Sequence, residues 1–414
     1  MTTLTLTPDQ QHAQDAFNKF MVCPVEKVFV LSGFSGTGKT TLVKTLLDQL
    51  EAFMKTAKLI QPNLKDYTVE LTATTNKAAE NFASLTHRIV NTIHSYLGLR
   101  VQTDYSTGIT TLIPKSMEPK RDVVLFIDEA SYVDKQLLGL IFKLTKDCKI
   151  CFVGDPAQLT AVKSNGAPVF DAHFTGAHLS QVVRQAEGNP IVSLSTKFRE
   201  TVTSGEFFSF TPDGHAIQYL ERDAFNLAIE KEFIRPDWKY SDSKVLAWTN
   251  KCVISFNNAI QDHVKGNPEF KVGDYAVCNS FVTLGRQSLK TDQMVCITHI
   301  NPDTEEYGVP GNLFTLDGSI SCFMPKSLQA KNARIKQAMA ASEFNLVERM
   351  QSQWVDLRSV FACTINKAQG STFDSVFLDL DDIKRCNSGE TMARMLYVGV
   401  SRARKHVYLT GDIA

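Results

Sequence analysis

Gly33-Phe34-Ser35-Gly36-Thr37-Gly38-Lys39-Thr40 fits the pattern G-x-x-x-x-G-K-[ST], and it lies between an apolar run at 28–31 and a helical pattern at 40–53. A strand running into a glycine-rich turn and then a helix is the setting that turns such a match into a phosphate loop. The glycines let backbone N–H groups close on phosphate oxygens, and the helix N-terminus adds partial positive charge. Lys39 is placed to reach the β- and γ-phosphates, and the Thr40 hydroxyl to join a Mg²⁺ shell. Gly36, Thr37, Gly38, Lys39, Thr40 and Thr41 are therefore the residues assigned to ATP.

Outward from this loop, further apolar runs recur at 69–72, 123–127 and 150–153, each ending in Gly, Asp, Ser or Thr, with helical patterns such as 76–89 between them. Strands alternating with helices predict an α/β fold with a parallel sheet, whose functional residues gather at the carboxyl ends of the strands. The run at 123–127 ends in Asp128-Glu129. Beside a phosphate loop the two carboxylates divide the labour: Asp128 holds the metal, and Glu129 orients and deprotonates the attacking water. The run at 150–153 ends in Gly154-Asp155-Pro156-Ala157-Gln158-Leu159, where the neutral amide of Gln158 suits a γ-phosphate sensor. Arg184 and Arg402 are candidate fingers that neutralise charge building on the transferred phosphoryl group, an effect worth about 10³ to 10⁵ in rate.

Composition narrows the class. The chain has 414 residues, 43% hydrophobic and 21% charged, which is enough for two or three globular domains and excludes disorder and collagen-like repeats. Lys+Arg and Asp+Glu both number 44, so a polyanion has to be held by a local groove rather than by a global positive field. No apolar stretch approaches the roughly 18 residues of a membrane span, and residues 1–20 lack the apolar core of a secretory signal. Nine cysteines, an odd number scattered along the chain, fit a reducing compartment, and Cys148-Lys149-Ile150-Cys151 reads as part of a buried strand rather than a metal site. A cytoplasmic location is expected.

The second half carries strand-like runs at 245–248, 376–380 and 407–410, a second α/β layer. Between 271 and 324 the pattern changes to short alternating strands broken by Gly273, Gly285, Gly308, Gly311 and Gly318, and 327–357 turns helical. A smaller insertion at 96–121 has a hairpin pattern centred on Gly108 and flanked by Tyr105 and Ile109. No internal repeat stands out.

The order of the motifs resembles that of a superfamily 1 DNA helicase. Leu6-Thr7-Pro8-Asp9-Gln10 resembles the Q motif, residues 33–40 motif I, Leu71-Thr72-Ala73-Thr74-Thr75-Asn76-Lys77-Ala78-Ala79 motif Ia and Thr92-Ile93-His94-Ser95 motif Ib. Asp128-Glu129 corresponds to motif II, 154–159 to motif III and Val183-Arg184-Gln185 to motif IV. Val245-Leu246-Ala247-Trp248-Thr249-Asn250 is similar to the segment opening the second motor core. Thr364-Ile365-Asn366-Lys367-Ala368-Gln369-Gly370-Ser371 and residues 396–404 are similar to motifs V and VI. The Thr-Ile-His-Ser, Lys-Ala-Gln-Gly and Leu-Tyr-Val-Gly-Val-Ser-Arg segments and the compact length resemble the RecD-like branch, superfamily 1B. Relatives carry His in motif V where this chain has Asn366, which cannot stack or charge as an imidazole does.

The resemblance implies two RecA-like P-loop motor domains: 1A at 1–95 and 122–175, and 2A at 176–270 and 357–414. It also implies a pin hairpin, 1B, at 96–121 and an SH3-like β insertion with a helical extension, 2B, at 271–356. It implies an ATP- and Mg²⁺-dependent enzyme moving 5′ to 3′ on single-stranded DNA and unwinding duplexes at single-strand junctions, acting as a monomer. A phage origin would bring a part in replication and recombination, the host cytoplasm as location, and phage replication or single-strand-binding proteins as partners. Gln10 would read the adenine edge. Thr74, Thr75, Asn76, Lys77, Thr92, His94, Thr249, Asn250, Thr364, Asn366 and Lys367 would contact DNA, with Trp248 stacking on a base and Tyr105 at the pin. The alternative is a single-strand translocase or protein-displacing motor with little unwinding.

Overall fold

The computed structural model describes residues 6–103, 110–160, 166–181, 188–266, 269–285 and 287–412. It divides into two compact units, Met1–Phe208 with Ala393–Ser401, and Ser209–Met392 with Arg402–Ala414.

The first unit is built on six parallel strands in the order Thr175–Leu179, Val28–Gly33, Lys149–Gly154, Val123–Asp128, Thr68–Ala73 and Asn91–Thr92. Alternate residues of the buried strands enter two different cores, as the twofold side-chain period requires. Phe29, Leu31, Val124, Phe126, Cys151 and Val153 pack with Phe17, Phe20, Leu42 and Leu46 from helices Pro8–Val22 and Lys39–Ile60. Val30, Val123, Leu125, Ile127, Ile150 and Phe152 pack with Ile93, Leu137, Ile141 and Val169. Full burial of each such aliphatic or aromatic side chain contributes about 1.5–3 kcal/mol. Lys149 is only 3% exposed and donates its ammonium to the carbonyls of Phe20, Cys23 and Glu26, at the carboxyl end of helix Pro8–Val22, where a cation complements the helix dipole.

The boundary expected at 175/176 falls inside the strand Thr175–Leu179, which pairs along the whole phosphate-loop strand from Phe29↔Thr175 to Gly33↔Leu179. Residues through Phe208 therefore belong to the first unit, and so does Ala393–Ser401, which the sequence reading assigned to the second motor domain. Strand pairing and packing from distant parts of the chain override the local apolar pattern here.

The second unit has a five-stranded parallel sheet ordered Ile217–Tyr219, Ala403–Thr410, Phe373–Asp379, Ser243–Ala247 and Ala362–Thr364. Phe225, Phe233, Val245, Phe361 and Phe377 form its core. A five-stranded antiparallel sheet ordered Ile320–Pro325, Val309–Leu316, Met294–Glu306, Tyr275–Cys278 and Leu357–Ser359 interrupts it, with a hairpin Val282–Leu284/Gln287–Leu289 and the helices Leu328–Ala340 and Phe344–Ser352. The strand Leu357–Ser359, expected in domain 2A, completes the antiparallel sheet through Cys278↔Leu357. The insertion at 96–121 contains an antiparallel pair, Leu99–Thr103 with Thr110–Pro114. Gly108 and Tyr105 lie outside the described residues. All nine cysteines are unpaired, and among the described residues no helix is long and apolar enough to cross a membrane.

Gly176 exposes how tightly the first sheet is closed: a Cβ built there would stand 2.3 Å from the Val30 carbonyl oxygen. Gly176→Ala is expected to lower stability by about 1–3 kcal/mol through overpacking, read as a lower urea or thermal midpoint. An unchanged midpoint would show that the edge strand is not held as described.

Candidate nucleotide site and nucleic-acid interface

Strand Val28–Gly33 delivers the phosphate loop and helix Lys39–Ile60 receives it. Gly36 and Gly38 sit at φ 84 and 79, the left-handed region where a side chain is strained. A Cβ on Gly38 would also lie 2.7 Å from Gln10 Nε2. Lys39 Nζ donates to the carbonyls of Gly33 (2.7 Å) and Phe34 (2.8 Å), so its ammonium is held inside the loop it serves. Thr37 is 1% exposed and donates its hydroxyl to Phe34 O. Thr40 is half-buried in the first helical turn, and Thr41 beside it is exposed.

Gln10 is buried against this loop. Its Nε2 donates to Thr37 O at 3.2 Å, and its Oε1 accepts the Thr7 N–H within the capping box that starts helix Pro8–Val22. Both ends of the amide assigned to adenine are thus occupied by the chain itself, and the residue fastens the helix to the loop.

Asp128 ends its strand and accepts the Glu129 N–H on Oδ1 at 2.9 Å, while Glu129 takes the left-handed conformation at φ 53. Burial, reinforced by the Glu129 charge and opposed by Lys39, pushes the Asp128 carboxyl up to about 7. Asp128 with Thr40 fits Mg²⁺: a buried carboxyl held above its usual range is what a cation would relieve. Among the described residues no three His, Cys, Asp or Glu cluster to hold a metal, and Mg²⁺ commonly takes one or two carboxylates and completes its shell with phosphate oxygens and water.

Gln158 is 5% exposed in a turn organised by the fully buried Asp155, which accepts the Ala157 N–H and, at 3.5 Å, Gln158 Nε2. Two groups absent from the sequence-based assignment hold this turn. Tyr397, 2% exposed, donates its hydroxyl to Asp155 Oδ2 at 2.6 Å and accepts the Ser35 N–H at 2.9 Å, while Arg394 donates to the carbonyls of Pro156 and Gln158 at 2.6 Å. Tyr397 lies within the motif VI segment, 396–404, and Arg394 two residues before it, so proximity to an ordered motif was the available signal. Arg199 had none: its guanidinium lies 3.6 Å from the centroid of the Phe34 ring, which also meets His178 edge-on. Burial, with Lys39 and Arg199 adding like charge, holds the His178 imidazole below its usual range. Arg184 lies outside the described residues. Arg402, in the second unit, is 5% exposed and donates to Ser371 O.

The residues assigned to DNA form two sets of the same design. In the first unit, Thr75 caps helix Asn76–Thr86 by accepting the Ala78 N–H, and Thr92, in the adjacent parallel strand, caps Ile93–Tyr96 by accepting the Ser95 N–H. In the second unit Thr249 caps Asn250–Lys265 and Thr364, again in the adjacent parallel strand, caps Ile365–Ala368. The registers coincide: Ala73 pairs with Thr92 and Ala247 pairs with Thr364. Ala73-Thr74-Thr75-Asn76-Lys77 thus corresponds to Ala247-Trp248-Thr249-Asn250-Lys251, and Thr92-Ile93-His94-Ser95 to Thr364-Ile365-Asn366-Lys367. This is an internal repeat too short to stand out in sequence; the shared register reveals it. It makes Asn366 the counterpart of His94, and exposed Lys251, omitted from the assignment, the counterpart of exposed Lys77.

A cap uses a hydroxyl lone pair and not its proton. Thr249 differs, because its hydroxyl also donates to Asp382 Oδ1 at 2.7 Å, and Asp382 Oδ2 accepts the N–H groups of Trp248 and Thr249. Half-buried Trp248 follows the strand rather than ending it. Thr74 is 8% exposed, with its hydroxyl donated to Glu129 O. Asn250 accepts from Arg358, Lys77 pairs loosely with Glu80 at 3.8 Å, and Lys367 Nζ is shared by Asn279 Oδ1 and Asp292, each at 2.7 Å. Half-buried His94 is held below its usual range by burial, against the pull of Asp134.

Five likenesses accompany this geometry. A family model described as an AAA domain matches residues 5–221, and one described as a UvrD-like helicase C-terminal domain matches 359–410. The ATP-dependent DNA helicase dda of Enterobacteria phage T4 is 24% identical, over 99% of this chain and 100% of its own length. The ATP-dependent RecD2 DNA helicase of Deinococcus radiodurans is 30% identical over 40% of this chain, a stretch amounting to 21% of that protein. A solved structure of Pif1 helicases at forked double-stranded DNA shares the fold at a TM-score of 0.54 and 16% identity, covering 99% of this chain and 93% of that one.

The raised Asp128 carboxyl has a measurable cost. Its ionised form is disfavoured in the folded state, so the penalty is absent below the ordinary value of 3.8, grows as pH rises, and is complete above about 7. Asp128→Asn is expected to raise the melting temperature of the metal- and nucleotide-free protein at pH 8, with the gain shrinking towards pH 4. A gain that grows on acidification would reverse the assignment.

Proposed function

The chain belongs to the AAA domain family, matched over more than half its length, and from that premise we propose that it is an ATP-dependent DNA helicase that moves 5′ to 3′ on single-stranded DNA and opens duplexes at single-strand junctions. The observation that carries this reading is the repeated Thr-Asn-Lys and Thr-Ile pair at the carboxyl ends of neighbouring parallel strands, present once in each unit beside one complete phosphate loop. One hydrolytic site with two equivalent grips is what alternating hold and release on a strand requires. The RecD-like motif order supplies the direction. Action as a monomer, a cytoplasmic location and work alongside replication or single-strand-binding proteins belong to the same proposal.

In this reading Lys39 exchanges the Gly33 and Phe34 carbonyls for β- and γ-phosphate oxygens. Thr40 and Asp128 would hold Mg²⁺, which would supply charge neutralisation for the phosphates. Glu129 orients water for in-line attack and takes its proton, while Gln158 senses the γ-phosphate and Arg402 and Arg184 stabilise developing negative charge. Gln10 keeps the loop in place. Thr75, Asn76, Lys77, Thr92 and His94 form one grip; Asn250, Lys251, Thr364, Asn366 and Lys367 form the other, with Trp248 offering a stacking face and Thr249 shaping the turn.

Matched duplexes with a 5′ or a 3′ single-stranded tail test the proposal, with Glu129→Gln as control. ATP-dependent unwinding is expected from the 5′ tail alone, and the variant should bind ATP yet turn over at least about 10²-fold more slowly. Unwinding from the 3′ tail alone would overturn the direction, and turnover without unwinding of either would leave a translocase. Lys251→Ala and Lys77→Ala should each reduce the slope of log affinity for single-stranded DNA against log salt by about 0.7, the share of one phosphate. An unchanged slope for Lys251→Ala would remove that residue from the grip.

A further inference from the structure

Position 74 is where the two repeats part chemically. The second unit has Trp248, and the turn there is pinned by the Asp382 carboxylate. The first has Thr74, whose N–H donates to Asp128 O at 3.2 Å and whose hydroxyl donates to Glu129 O at 3.0 Å. Those two carbonyls belong to the peptide groups on either side of the Glu129 Cα. A single buried residue thus holds both flanks of Glu129, in a left-handed conformation (φ 53, ψ 47) that a non-glycine residue adopts only when its surroundings impose it. The next residue, Thr75, starts the helix that carries Asn76 and Lys77.

We propose that Thr74 is the positioning residue that transmits nucleic-acid engagement at 75–77 to Glu129. A phosphate drawing on Thr75 and Asn76 moves the adjoining peptide, and the two hydrogen bonds of Thr74 pass that movement to the backbone that aims the Glu129 carboxylate. Thr74 touches neither nucleotide nor strand; it acts through Glu129. The inference rests on the helicase reading above and deepens it, by giving DNA-stimulated hydrolysis a physical route inside the first unit.

Thr74→Val keeps the shape and removes the hydroxyl, and Thr74→Ser restores it. ATP turnover is measured with and without saturating oligodeoxythymidylate, together with the oligonucleotide concentration giving half-maximal rate. Thr74→Val is expected to lower the fold stimulation by DNA about fivefold, the worth of one hydrogen bond, at an unchanged half-saturating concentration, and Thr74→Ser to recover it. Full stimulation in Thr74→Val would overturn the proposal. So would an equal fall in rate with and without DNA, which marks a folding role, or a raised half-saturating concentration at unchanged maximal rate, which marks a direct DNA contact. A wild-type protein not stimulated by DNA at all would instead bring down the helicase reading, and the coupling with it.

Discussion

The pairing of strand Thr68–Ala73 with strand Val123–Asp128, in the register that sets Ala73 beside Asp128, is the constraint on which the site depends. It brings the end of one strand, where the segment 74–77 starts, level with the end of another, where the carboxylates lie. A slip of one residue would turn the alternate side chains of Val123–Asp128 to the opposite core and move Thr74 off both carbonyls it holds. Withdrawal of its carboxyl from water, with the Glu129 charge beside it, raises Asp128 at the end of that strand. The sheet therefore holds an ionisable group at a cost in stability.

Parallel sheets place all their strand ends on one side, and the chain exploits this in both units. The first carries Asp128 and Glu129 between its capping threonines and its phosphate loop; the second keeps the threonine pair and uses Asp382 to stiffen the turn. In the first unit the homologous turn is tied to Glu129 instead. The two threonine pairs are alike in register and unlike in what stands behind them.

Much of this was legible in the sequence. Residues 28–40 and 123–129 have a fully apolar strand running into a turn whose residue types allow little else, and both elements form where the pattern puts them. What escaped reading depends on contacts between distant residues. The edge strand Thr175–Leu179 contains Gly176 and His178 and has no apolar run; only its close fit to Val30 makes it a strand of the first sheet. Arg199 sits over Phe34 through the placement of helix Pro190–Ser204, which no local pattern encodes. Thr74 looked like one more hydroxyl in a DNA motif, and its burial follows from the neighbouring strand rather than from its own segment.

The hydrogen bonds of Tyr397 join Ser35 and Asp155 across 362 and 242 residues of chain. A polypeptide emerging from the ribosome lays down the phosphate loop 362 residues before the tyrosine that braces it. Until then the nascent first unit has its sheet but not the brace between the turns at Ser35 and Asp155. Premature termination anywhere upstream of residue 397 would leave that brace unmade, so a truncated product loses part of the first unit as well as residues of the second.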